Sequence, residues 1–157
     1  MKNTACFTGH RIINRERIPA IINSLESVIE TLIKSGIIYF RCGGAIGFDL
    51  LAGYIVLKMK KRYPQIRLIM VLPCENQDLK WSPADKKRYR QLLVSADETI
   101  YIQSAYDNQC MHKRNRHLVD NSGVCIAYLT NDRSGTGYTV RYAKSKGKEI
   151  INIAKMI

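Results

Sequence analysis

Ile37-Ile38-Tyr39-Phe40-Arg41-Cys42-Gly43-Gly44-Ala45-Ile46-Gly47-Phe48-Asp49 reads as a strand that runs into glycines and opens directly into a helix. The apolar residues 37–40 supply the strand. Leu50-Leu51-Ala52-Gly53-Tyr54-Ile55-Val56-Leu57 continues the helix. Glycines at such a junction allow a tight turn and a close backbone approach. The first helical turn adds unpaired N–H groups and the positive end of the helix dipole. A phosphate cradle at Gly43, Gly44 and Ala45 is one reading. A bare strand-to-helix turn is the other, because Gly43-x3-Gly47 departs from the dinucleotide spacing G-x-G-x-x-G.

On either side of this stretch the same alternation repeats. Residues 4–8 form an apolar strand that ends in Gly9-His10-Arg11. Ile18, Ile21, Ile22, Leu25, Val28, Ile29, Leu32 and Ile33 recur at helical spacing, with Pro19 in the first turn and Gly36 as a stop. The helix after the glycines runs to about residue 62, and Pro64 closes it. Residues 66–72 read as a strand buried on both faces. Ser82-Pro83-Ala84-Asp85 starts a helix that reaches about residue 95. A strand at 98–102, a helix at 110–121, a strand at 124–129, a helix at 137–146 and a strand at 149–153 complete the order. Strands alternating with helices predict an α/β fold, a Rossmann-like three-layer sandwich with a mostly parallel sheet of about six strands. With no linker, repeat or low-complexity tract, residues 1–157 read as a single domain.

Composition narrows the function classes. No apolar run approaches the roughly 18 residues of a membrane span, and the N-terminus lacks a signal pattern, so a cytoplasmic protein with no membrane partner is expected. Five cysteines without a Cys-x-x-Cys pair speak for free thiols rather than a zinc site or disulfides, and no metal is expected. Cys110, in a polar stretch, is the thiol expected to be reactive. Lys and Arg total 25 against 13 Asp and Glu, a net charge of +12 that favours anionic partners.

In an open parallel sheet, ligands bind beyond the carboxyl ends of the strands. Those ends are polar here. Thr8-Gly9-His10-Arg11 offers a hydroxyl, an imidazole and a guanidinium. Ser134-Gly135-Thr136-Gly137, ahead of the last helix, serves either as an N-cap or as a second anion site. On the helix 110–121, Arg114 and Asn115 share a face with Met111, and polar groups on a buried stripe suggest a pocket wall. Asp49 sits where a carboxylate suits the helix dipole, or where it can hold a ribose hydroxyl. Glu75 follows a strand and could contact a sugar. Trp81 either stacks on a base or packs.

Taken together, these motifs resemble the SLOG superfamily of Rossmann-like nucleotide-ligand domains, in its YpsA-like branch, across nearly the whole chain. The carriers are Thr8-Gly9-His10-Arg11, Gly43-Gly44-Ala45 with Gly47 and Asp49, Pro73 with Gln77 and Trp81, Met111 with Arg114 and Asn115, and Ser134-Gly135-Thr136. The resemblance implies a sheet whose pocket binds a nucleotide or nucleotide-derived ligand, often in a sensor or effector setting. The leading expectation is a non-catalytic cytoplasmic binding domain that requires no cofactor and takes a nucleotide or ADP-ribose-like ligand. Homodimerisation, a protein partner and nucleic acid stay open. The related Lonely Guy phosphoribohydrolases imply N-glycosidic hydrolysis instead. Met111-His112-Lys113-Arg114 matches their Arg-Lys helix motif, but Thr139 stands where their catalytic Glu belongs, leaving Glu75 or His10 to replace it. The related DNA-processing protein A implies single-stranded DNA binding.

Overall fold

The longest helix buries Ile21, Leu25, Val28, Ile29, Leu32 and Ile33, the 3–4 residue recurrence of one helical face. That face packs on a sheet, and the sheet decides where a ligand can go. The computed structural model describes residues 2–157. In chain order the strands are β1 (Thr4–Gly9), β2 (Tyr39–Cys42), β3 (Arg67–Leu72), β4 (Glu98–Tyr101), β5 (Val124–Tyr128) and β6 (Glu149–Asn152). The helices between them are α1 (Ile18–Lys34), α2 (Phe48–Lys60), α3 (Pro83–Ser95), α4 (Cys110–Asp120) and α5 (Gly135–Ser145). Short 3₁₀ turns at Arg15–Arg17 and Ile153–Lys155 flank this core.

All six strands are parallel and lie in the order β4-β3-β2-β1-β5-β6. The chain builds outward from β1 to β4, then crosses back through α4 to place β5 on the other side of β1. The order reverses between β1 and β5, which is the crevice where such sheets bind ligands.

Side-chain alternation divides the sheet into two cores. Ala5 and Phe7 of β1, Leu68, Met70 and Leu72 of β3, and Val124 and Ile126 of β5 join α1, α2 and α3 in the larger one. Cys6, Ile69, Val71 and Cys125 face Leu118 and Val119 of α4 and Ala143 of α5 in the smaller. Strands buried on both faces explain the unbroken apolar runs in the sequence. Among the described residues, no helix is long and apolar enough to cross a membrane.

Three local expectations change. β2 begins at Tyr39: the Ile37 N–H still bonds back to Leu32 O of α1, and Ile38 is a lead-in residue whose N–H goes to Asn3 O. α5 starts at Gly135, two residues early, since the Ser134 hydroxyl caps it by accepting the Gly137 N–H at 3.1 Å. Cys110 is fully buried, and its thiol donates to the Asp107 carbonyl at 3.3 Å, so it is not the accessible thiol that its polar neighbours suggested. All five cysteines are free and buried.

Candidate anion site at the β1–β5 switch

Arg114 lies one turn after Met111 on α4 and points inward, only 3% exposed. Its Nη1 donates to the Gly43 carbonyl at 2.5 Å and its Nε to Asn115 Oδ1 at 2.8 Å. A side chain at position 43 would run into this guanidinium, which accounts for the first glycine of the turn. The remaining Nη2 rests on Met111 Sδ at 3.7 Å. Arg11 Nη2 approaches the same sulfur at 3.7 Å from the end of β1. Two guanidinium groups therefore converge on one thioether. Among the described residues, neither has a carboxylate within ion-pair distance.

The carboxylate whose charge acts on Arg114 is Asp49, buried in the first turn of α2. Its Oδ2 accepts the Ala45 N–H at 3.3 Å, while its Oδ1 is buried without a partner. Burial pushes the carboxyl up to about 6, against the pull of Arg114, the Ala45 N–H and Arg11. Burial likewise lowers the Arg114 pKa, and Asp49 opposes that shift.

The glycine turn is built differently from a phosphate cradle. The Ala45 N–H is taken by Asp49, and the Gly43 carbonyl receives Arg114 and Gln77 Nε2. Gly44 fits among Met70, Tyr89 and Leu72. Gly47 has φ 84° and lies against the Arg11 and His10 carbonyls, and the Phe48 N–H donates to His10 O at 3.1 Å. The turn thus clamps the end of β1 and seats Arg114.

Beyond β1, His10 Nε2 accepts the Thr130 N–H at 2.9 Å, joining the two strands of the switch. Burial lowers the His10 pKa, and an Nε2 that accepts the Thr130 N–H leaves the ring hydrogen on Nδ1. Across the crevice, the Ser134 hydroxyl donates to Asn131 O at 2.6 Å besides capping Gly137. Gly135 is open to solvent, while Gly137 lies against the Asp132 carbonyl. The Gly135 and Thr136 N–H groups, first in α5, have no acceptor within the helix. Thr139 donates to Gly135 O at 3.1 Å and is buried, so no carboxylate occupies this turn.

Thr8, Gly9, His10, Arg11, Ala45, Asp49, Arg114, Asn115, Ser134, Gly135 and Thr136 share the wall of one cavity of about 380 Å³. Gly43, Gly44, Gly47, Gly137 and Glu75 do not reach it. The first four shape or support the wall. Glu75 is exposed beyond β3, two strands away from β1. Met111 and His112 complete the lining. His112 was missed as a site residue: its ring stands edge-on to Tyr138 at 5.0 Å, and its Nδ1 is buried and unpartnered. Its only signal in the sequence was its place beside Met111.

Residues 8–155 match the family model described as the YspA SLOG family (YpsA). The chain belongs to this family. An uncharacterized SPbeta prophage-derived protein, YoqJ of Bacillus subtilis, is 33% identical over 78% of this chain and 79% of its own length. UPF0398 protein BH1768 of Halalkalibacterium halodurans is 28% identical over 87% of this chain and 74% of its own length. Among solved structures, DNA processing protein A of Helicobacter pylori, studied for its single-stranded DNA binding mode, superposes with a TM-score of 0.66 at 20% identity. DNA processing protein A of Streptococcus pneumoniae superposes at 0.68 with 15% identity, and TM1055 at 0.59 with 18%. Each superposition covers 94% of this chain, but only 63%, 48% and 72% of the respective partners. At these identities the likeness is one of fold.

Proposed function

We propose that this SLOG domain binds a phosphate-bearing, nucleotide-derived small molecule at the β1–β5 switch, as a sensor or effector rather than as an enzyme. One observation carries the reading. Arg11 and Arg114 converge on Met111 without an ion-pair partner, on the cavity that also receives the first turn of α5. Two neighbouring cations repel each other, and an anion between them relieves that repulsion. Guanidinium forks and helix N-termini both bind phosphate. The phosphate lies between Arg11, Arg114 and the Gly135 and Thr136 N–H groups. Asp49 Oδ1 accepts from a sugar hydroxyl.

Binding without cleavage fits the carboxylates. Asp49 brings the one carboxylate on the wall, Thr139 replaces the acid of the phosphoribohydrolases, and Glu75 lies elsewhere. His10 has its Nε2 committed to Thr130.

The test is thermal unfolding with AMP, ADP, ATP, NAD, ADP-ribose and cyclic nucleotides, beside Arg11→Ala and Arg114→Ala variants. A ligand at about a hundredfold its Kd adds about 2.7 kcal/mol of stability. One nucleotide class is expected to raise Tm in the wild type and in neither variant. Arg11 is exposed, so its variant keeps the fold even if Arg114→Ala weakens it. Release of free base from the bound nucleotide would overturn the non-catalytic reading.

A second reading is a single-strand nucleic-acid binder, favoured by the net charge of +12 and the fold shared with a DNA-binding protein. Its mark is oligonucleotide affinity that falls steeply with salt, as phosphate neutralisation releases counterions.

A further inference from the structure

The anion cavity has a neighbour. A second cavity of about 470 Å³ shares Arg11 and Met111 with it and extends toward α3. Its walls differ in chemistry. Trp81, Tyr106, Leu79 and Ile46 make them mostly apolar and partly aromatic. Leu79 is 63% exposed and Tyr106 59%, an unusual outlay of apolar surface beside a polar site. Trp81 is fixed edge-on against Tyr89, with ring centroids 5.0 Å apart.

One polar group in this slot lacks a partner. Gln77 is 8% exposed, and its Nε2 donates to the Gly43 carbonyl at 3.2 Å and to the Tyr89 hydroxyl at 3.0 Å. Those two bonds orient the carboxamide and leave Oε1 buried with no donor. A buried acceptor without a partner is costly, and such groups mark places where something else binds. Gln77 touches both halves of the site, since Gly43 O also holds Arg114.

We propose that the slot bounded by Trp81, Tyr106 and Leu79 holds the heteroaromatic ring of the nucleotide, and that Gln77 Oε1 accepts a hydrogen bond from the ring's exocyclic amine. This rests on the binding reading above and specifies the ligand: an amino-bearing base joined to a phosphate. Trp81 and Tyr106 supply faces for the ring, and Met111 lies between ring and phosphate. Selectivity follows from the lone acceptor, because a site with a buried polar group rejects the analogue that cannot satisfy it.

The experiment is calorimetric titration with three probes: AMP, purine riboside 5′-monophosphate, which lacks the 6-amino group, and ribose 5-phosphate, which lacks the ring. The wild type is expected to bind AMP at least tenfold more tightly than purine riboside 5′-monophosphate, and that more tightly than ribose 5-phosphate. Tyr106→Ala, at an exposed loop position, is expected to weaken AMP three- to tenfold and leave ribose 5-phosphate unchanged. Gln77→Leu is expected to abolish the preference for the amine. Equal affinity for all three probes in wild type and Tyr106→Ala would overturn the slot while sparing the anion site. No binding of any probe, or binding indifferent to Arg11→Ala, would overturn both.

Discussion

Asp49 is a carboxylate whose titration the fold moves upward, toward neutral pH. Its pKa of about 6 stands above the ordinary carboxylate value, so the folded chain holds the proton more tightly than the unfolded chain does. Between about pH 4 and pH 6 the unfolded state releases that proton while the folded state retains it. The contribution of Asp49 therefore turns unfavourable as pH rises through this window, by about 3 kcal/mol in full. Asp49→Asn keeps an acceptor for the Ala45 N–H but cannot ionise. Urea denaturation across the window is expected to show the variant gaining on the wild type by about 2–3 kcal/mol from pH 4 to pH 7. A difference that stays flat with pH would show that Asp49 ionises normally. The Met111, Arg114, Asn115 face was legible because helical spacing alone places these residues together. Which of Asp49's oxygens would be left bare was not. That depends on the loop N–H that bends back to Oδ2, a detail of tertiary packing.

Glycines separate shape from function at the level of the elements. The sequence marks two glycine-rich helix starts and gives them one meaning, yet the structure builds them differently. Before α2, Gly47 holds a φ of 84° against the Arg11 carbonyl, so its absent side chain is a steric requirement. At the start of α5, nothing lies within 4 Å of where a Gly135 side chain would begin. Gly47→Ala is expected to cost at least about 2 kcal/mol through strain and clash. Gly135→Ala is expected to be neutral or to gain up to about 1 kcal/mol by restricting the unfolded chain. Equilibrium unfolding of the two variants checks the contrast, and equal effects would refute it. The alternation of strands and helices was readable throughout, since both periodicities are strong and the connecting turns carry Gly, Pro or Ser. Glu75 shows where that reading ended. Being at the carboxyl end of a strand places a residue on the right edge of the sheet, but only the strand order says how far it stands from the crevice.

For the whole molecule, the decisive event is the return of the chain from β4 at the edge to β5 beside β1. No local pattern announces this move. It is enforced by β1, which is buried on both faces and bonds along both edges. The +12 charge is spread over a surface that nonetheless pairs some of its cations, as Lys58 does with Glu26 and Arg90 with Asp78. The crossing also sets a timetable for synthesis. A nascent chain that has emerged only as far as α4 has made β1 to β4, but β1 still offers a naked, apolar edge, the kind that recruits neighbouring polypeptides. A variant terminated after Ser122 is expected to sediment with insoluble material where the full chain does not, which centrifugation of the two expressed proteins would decide. Because His10 waits for Thr130, 120 residues later, the crevice between β1 and β5 takes its final form only once nearly the entire chain has emerged.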